Sequence, residues 1–263
     1  MKRQIAAITT LLLLLAGCGS VPVTGRKQVL LVSDQEILAS SLTQYRNYMK
    51  TVPKSTAAQS SAMVTRVGKR IAAATEKYMK QNGLAEEVKN FAWEFNLVKG
   101  EQVNAFCMPG GKIVVYEGLM KLVSNDDELA VVIGHEVAHA VAKHSNERMS
   151  QQMLTQYGAQ ILNLSLSQKN TAVQAIANQV YGIGAQYGVM LPFSRKHESE
   201  ADYMGLIFMR MAGYNPDASI SFWQKMSTGS TTKVPELMST HPSDARRIND
   251  IRKALPGIKA KYK

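Results

Sequence analysis

The sequence predicts a mainly α fold with a small antiparallel β-sheet, an α+β architecture. Three observations carry this. Helix-period apolar patterns with end signals recur along most of residues 33–254. Extended, alternating segments are confined to 91–116. One stretch, from Leu129 to Ala142, is apolar nearly all round, which marks a buried helix rather than a surface one.

The ends are set apart from that fold. Lys2 and Arg3 form a positive start, and Ile5 to Ala16 is an apolar run too short to span a bilayer as a mature helix. It closes on Leu15-Ala16-Gly17-Cys18, which resembles a bacterial lipobox with Cys18 as the lipidated residue. The expected organisation is a lipoprotein signal peptide over 1–17, a lipid tether over 18–32 and a single domain over 33–263. No other stretch is apolar for eighteen residues, so the chain is expected to be anchored to a membrane through lipid without spanning it. The formal net charge is +11, and removing residues 1–17 takes away Lys2 and Arg3 and leaves +9. That excess is spread out and contains no basic run of the kind that binds nucleic acid, so no nucleic-acid partner is expected. With Cys18 lipidated, Cys107 is the one remaining thiol, and no intrachain disulfide can form.

Within the domain, Ser33 and Glu36 form a capping box that starts a helix running to about Met49. Pro53 to Ser60 is a polar break. A second helix, 62–81, carries Val64, Val67, Ile71 and Ala74 on one face and ends at Gly83. Phe91 to Val98 alternates as a half-buried strand. Residues 102–106 are a short extended piece, Pro109-Gly110-Gly111 a turn and Lys112 to Tyr116 a strand. After a short helix at 118–123, Ser124 or Asn125 caps the apolar helix, whose first turn carries Asp126, Asp127 and Glu128. Residues 148–191 read as one or two long, polar helices, with a lid or plug as the alternative. Helices at about 196–211, 215–226 and 244–254 follow, with a flexible loop at 227–235.

The apolar helix contains Val131-Val132-Ile133-Gly134-His135-Glu136-Val137-Ala138-His139. Residues four apart on a helix share a face, so His135 and His139 can hold one metal ion. Two imidazoles at that spacing suit Zn²⁺, which takes nitrogen ligands at about 2.0–2.1 Å. Glu136 is rotated about 100° from His135, where it reaches a water at the metal without being a ligand. Two histidines and a glutamate on a buried helix are costly unless paired or metal-bound. His144 faces away, as a cap for the helix end. Ala142 and Ser145 stand where a metzincin needs glycine and histidine. The third ligand is therefore sought in His197-Glu198-Ser199-Glu200-Ala201-Asp202. Glu198 and Asp202 share a helix face, so one carboxylate can bind the metal while the other orients a ligand histidine.

Three motifs in order carry a resemblance: Val132 to His139, Phe193-Ser194-Arg195 through Glu198, Glu200, Ala201 and Asp202, and His241-Pro242 with Arg247-Ile248. Over about Asn104 to Ile251 the chain resembles family forty-eight of the metallopeptidases. This is the gluzincin group of the CAAX prenyl proteases and HtpX-like proteases, and within it the chain looks most like lipid-anchored periplasmic zinc proteases of Gram-negative bacteria. The resemblance implies a zincin-like fold and one Zn²⁺ per chain. It implies His135, His139 and Glu198 as ligands, Glu136 as base and Asp202 behind the ligands. It gives His241 a part in stabilising the oxyanion, with Arg247 near it. Asn104 and Ala105 resemble the extended segment that receives substrate backbone, and a sheet edge can bind any peptide as an added strand.

The function expected is a zinc-dependent endopeptidase acting on unfolded or misassembled envelope and membrane proteins. Its expected partners are a polypeptide substrate, the membrane through the N-terminal lipid, and the outer-membrane assembly machinery. The alternative is a chaperone or assembly factor for outer-membrane proteins, without catalysis or combined with it. Gly19 after Cys18 favours the outer membrane, on the periplasmic side.

Overall fold

The computed structural model describes residues 18–166, 191–228, 237, 241 and 245–262. The signal-peptide reading of 1–17, the second half of the lid reading and most of the 227–235 loop lie outside those residues. The elements in chain order are β1 (Cys18–Ser20), β2 (Lys27–Val29), α1 (Asp34–Thr51), α2 (Ala58–Gln81), α3 (Ala85–Val88), β3 (Glu94–Val98), β4 (Ala105–Met108) and β5 (Lys112–Tyr116). They continue as α4 (Glu117–Met120), α5 (Asp126–Val141), α6 (His144–Leu166), α7 (Leu191–Met211), α8 (Ala218–Thr228) and α9 (Ala245–Lys261). None of the described helices is long and apolar enough to cross a membrane. The chain forms two compact units, 34–142 with 198–263, and 1–33 with 143–197.

In the larger unit, α2 buries Val64, Val67, Ile71 and Ala74, the face its periodicity marks. It packs on α5 and on β3. Gly68 makes the second approach possible, because a Cβ there would lie 2.2 Å from the Phe95 ring. Gly83, at φ 78°, stops the chain after α2. The sheet has the order β3-β5-β4. It is mixed where an antiparallel sheet is expected: β4 and β5 form the antiparallel hairpin around Pro109–Gly111, and β3 pairs parallel with the other side of β5. The six-residue connection 99–104 lets the chain cross β5 before returning as β4, so β3 and β5 run the same way. β3 is shorter than the alternation suggests, since Phe91 and Trp93 leave the strand and stack on each other at 4.6 Å. At the other end of the unit, α9 runs on past the expected stop and through Pro256. Ile251, Leu255 and Ile258 form one buried stripe that holds the extra turns in place.

In the smaller unit, β1 and β2 form an antiparallel hairpin with Cys18 opposite Val29. Residues 18–29 are therefore folded where a tether is expected. Arg26 explains this: its guanidinium makes two 2.7 Å bonds to Glu147 of α6. Leu31 N–H donates to Ser150 Oγ at 2.8 Å, and Asn146 Nδ2 donates to Val32 O at 2.8 Å. His197 Nε2 lies 3.0 Å from Glu147 Oε2, and His144 stacks on His197 at 4.1 Å. His144 is thus buried at the start of α6 and stacked on another histidine.

Candidate metal centre

Helix α5 presents the centre. Asn125 caps it, its Oδ1 accepting from Glu128 N–H at 3.0 Å. Lys225 of α8 ties the same end down, donating to both Glu128 oxygens at 2.8 and 2.7 Å and to Leu122 O at 2.7 Å. Across α5 lies α7, and the two backbones touch where glycines face each other. A Cβ on Gly205 would lie 2.9 Å from Gly134 C and His135 N. This close crossing sets the carboxylates of α7 against the histidines of α5.

The donor atoms converge. His135 Nε2 is 3.0 Å from His139 Nε2 and 3.2 Å from Glu198 Oε2, and His139 Nε2 is 3.4 Å from Glu198 Oε1. Ligands at about 2.0–2.1 Å from a tetrahedral ion are separated by about 3.3 Å, so this triangle has the size a zinc-like ion needs. A fourth donor joins it. His241 Nδ1 lies 3.0 Å from both Glu198 oxygens and 3.3 Å from His135 Nε2. All four donors fall within 4.8 Å of one another. The spacing of His241 in the sequence did not place it in the donor set, because a histidine in a loop has no periodic relation to α5 or α7.

The charges fit the same reading. Burial alone would raise the Glu198 carboxyl, yet hydrogen bonds from His135, His139 and His241 hold it far below the usual carboxylate range. On His135, burial and the Arg247 charge oppose protonation, but the contacts with Asp202 and Glu198 prevail and raise it to about 9. The cluster therefore calls for positive charge, met by a proton on His135 or by a metal ion that replaces it.

Behind the donors, Asp202 Oδ1 is 3.0 Å from His135 Nδ1 and accepts from Arg247 Nη2 at 2.7 Å. Arg247 Nε donates to Asp202 Oδ2, and its Nη1 donates to His241 O at 3.2 Å. The guanidinium lies 3.9 Å over the Trp223 ring, which meets the His135 ring at 5.6 Å. Burial raises the Asp202 carboxyl, and Arg247 and His135 outweigh it and lower it. Sequence reasoning did not assign Trp223 a part, although it is one of only two tryptophans in the chain.

Glu136 lies beside the donors and is 3% exposed. Among the described residues its Oε1 makes no hydrogen bond, and it sits 3.4 Å from His241 Nε2, while its Oε2 accepts from Cys107 N–H at 3.3 Å. That amide belongs to β4, the outer strand of the sheet, which packs against α5. Asn104 and Ala105 stand at the start of β4, joined by a 2.9 Å bond from Ala105 N–H to Asn104 Oδ1. The Cys107 contact has no signature in the sequence, since any residue but proline supplies the N–H. Burial, with Glu136 adding to it, pushes the Cys107 thiol well up. Cys18 stands in β1, in the other unit.

Comparison with known proteins gives relatives built around the same region. The chain is 35% identical over 176 residues to the mitochondrial metalloendopeptidase OMA1 of Schizosaccharomyces pombe, covering 66% of this chain and 50% of that protein. It is 27% identical over 241 residues to human mitochondrial metalloendopeptidase OMA1, covering 89% and 45%. It is 32% identical over 168 residues to the beta-barrel assembly-enhancing protease of Yersinia pestis, covering 61% and 34%. The chain thus spans half or less of the length of these relatives. The model of peptidase family M48 matches residues 63–255, a span that holds the α5 histidines, the α7 carboxylates, His241 and Arg247 together, and the chain belongs to that family.

Proposed function

We propose that the chain is a zinc endopeptidase that hydrolyses peptide bonds in unfolded or misassembled polypeptides. Membership of the M48 family implies a metal cofactor. His135, His139 and Glu198 are the ligands of one Zn²⁺, and Asp202 fixes the His135 tautomer through Nδ1. The observation that carries the reading is Glu136 Oε1, buried without a hydrogen bond among the described residues and lying beside a donor triangle of zinc-sized dimensions.

A zinc ion in such a site acidifies water and polarises the peptide carbonyl. The remaining steps belong to the chain. Glu136 Oε1 takes a proton from the attacking water and delivers it to the departing amine, while Cys107 N–H holds Oε2. His241 Nε2, close to Glu136 Oε1, donates to the oxygen that gains charge, and Arg247 steadies His241 through its carbonyl. The outer strand β4, with Asn104 and Ala105 at its start, receives the substrate as an added strand.

Replacing Glu136 with Gln should keep the metal and abolish cleavage of unfolded casein; full activity would overturn the mechanism. Replacing His241 with Ala separates its two placements. Lost turnover with metal retained supports the oxyanion role, and lost metal makes it a fourth ligand.

The cellular setting proposed is the periplasmic side of the outer membrane, with lipid on Cys18 as the anchor. Its support is the lipobox-like Leu15 to Cys18 and the name of the Yersinia pestis relative, which ties that protein to β-barrel assembly. The same name favours outer-membrane proteins as substrates, with the assembly machinery as partner. It also supports a chaperone-like role beside proteolysis, visible as client binding by the Glu136→Gln variant.

A further inference from the structure

Strand β4 has one side paired to β5 and one side free of the sheet. Tyr116 N–H donates to Asn104 O at 3.1 Å, so Asn104 faces β5, and by antiparallel alternation so do Phe106 and Met108. Val103, Ala105 and Cys107 therefore turn their backbone groups to the free side. The contacts agree at all three. Val103 O accepts from Leu237 N–H at 3.0 Å, Ala105 N–H donates to Asn104 Oδ1 at 2.9 Å, and Cys107 N–H donates to Glu136 Oε2 at 3.3 Å. Leu237 is fully buried, and His241 N–H donates to its carbonyl at 2.8 Å. Asn104 and Ala105 are buried, and Val103, Phe106, Cys107 and Met108 are part-exposed.

We propose that Leu237 caps the N-terminal end of the substrate-binding edge and is a specificity-determining residue. It limits how many substrate residues can pair on one side of the cleaved bond. This rests on the reading that β4 receives substrate backbone. Antiparallel pairing is the more stable kind, so the substrate runs opposite to β4, with its C-terminal direction toward Val103. The contact of Cys107 with Glu136 places the cleaved bond near Cys107. Residues after that bond reach Ala105 and then meet Leu237, whose N–H already holds the next acceptor. Residues before it meet no such cap as far as Met108 among the described residues.

The test measures dissociation constants on the full chain, metal-loaded and carrying Glu136→Gln so that peptides stay intact. Peptides are lengthened one residue at a time on either side of the cleaved position. Additions on the N-terminal side that form a new pair should tighten binding about 2- to 12-fold each, the range of one net main-chain hydrogen bond. On the C-terminal side the gain should stop after the second residue. Adding Leu237→Pro removes the donating N–H and should extend that gain, whereas Leu237→Ala keeps the N–H and should not. Should the proline variant fail to fold, the length series with Leu237 intact decides alone: equal gains on both sides overturn the cap. Peptides N-methylated along the backbone that bind as tightly as unmodified ones overturn the edge reading itself, and the cap with it.

Discussion

Asp202 stands between two buried groups that both need it, so Asp202→Asn tests whether the centre is held from behind. Asparagine keeps the size and an oxygen for His135 Nδ1 but removes the charge. Arg247, 4% exposed, would then be a buried cation without the carboxylate that takes both its Nε and Nη2. Removing one partner of a buried pair costs about 3–5 kcal/mol. The asparagine can also turn its amide toward His135, which no longer fixes the tautomer. Loss of such an orienting contact weakens metal binding about 10- to 100-fold, or about 1.4–2.7 kcal/mol. Two assays separate these effects: denaturant unfolding of metal-free protein, and zinc competition against a chelator of known affinity. The double variant Asp202→Asn with Arg247→Met removes the cation that has lost Asp202. It should regain most of the unfolding free energy while zinc affinity stays low. If the single variant binds zinc within twofold of the parent and unfolds within about 1 kcal/mol of it, Asp202 neither orients His135 nor neutralises Arg247.

Three further outcomes follow from other contacts. Gly205→Ala should destabilise by about 1–3 kcal/mol through overpacking and lower metal affinity, because its Cβ would press on the backbone of Gly134 and His135. Gly257→Ala, whose Cβ would meet nothing within 4 Å in the last helix, should be neutral or stabilising by up to about 1 kcal/mol; thermal unfolding of both variants checks the contrast. Arg26→Met should cost up to about 3 kcal/mol at neutral pH, less than a fully uncompensated buried charge, because Glu147 keeps its 3.0 Å contact with His197. Burial raises Glu147, but Arg26 and His197 outweigh it and hold the carboxyl below its ordinary 4.5. A carboxyl lowered by folding contributes stability fully above its unfolded value and loses it as pH falls through the folded one. The gap between parent and Arg26→Met should therefore narrow as the pH drops below about 4.5. A gap unchanged between pH 7 and 3 in unfolding measurements would remove Glu147 from the account. Adding chelator to metal-loaded protein should lower its melting temperature, and restoring zinc should reverse this, by mass action on the folded state.

What the sequence discloses and what it hides divide along physical lines. His135 and His139 are readable because a helix turns their spacing into a shared face, Glu136 because it stands one residue round from His135, and the shared-face rule also links Glu198 to Asp202. Local signals also found Asn125 as a cap and Gly83 as a stop. Each depends on neighbours within a few residues. The contacts that escaped are pairings at long range. Arg26 reaches Glu147 across 121 residues, and that part-buried ion pair, with the bonds of Leu31 and Val32 to the same helix, accompanies a folded hairpin where a tether is expected. Gly134 and Gly205 are ordinary in isolation and matter only because they meet. Had Gly134 been weighed as a glycine inside a buried helix, where it costs about 1 kcal/mol against alanine, a close crossing by another backbone was the available explanation. His241 illustrates the remaining limit. Its position in sequence offers no geometry, and the resemblance assigned it to the oxyanion. The fold brings its Nδ1 onto Glu198 and its Nε2 toward Glu136, so one imidazole touches both a proposed ligand and the proposed base. A catalytic zinc needs an open position for water or substrate. With His241 Nδ1 among the donors, that position is the one the ring itself approaches, which is why the His241→Ala experiment must measure bound metal as well as turnover.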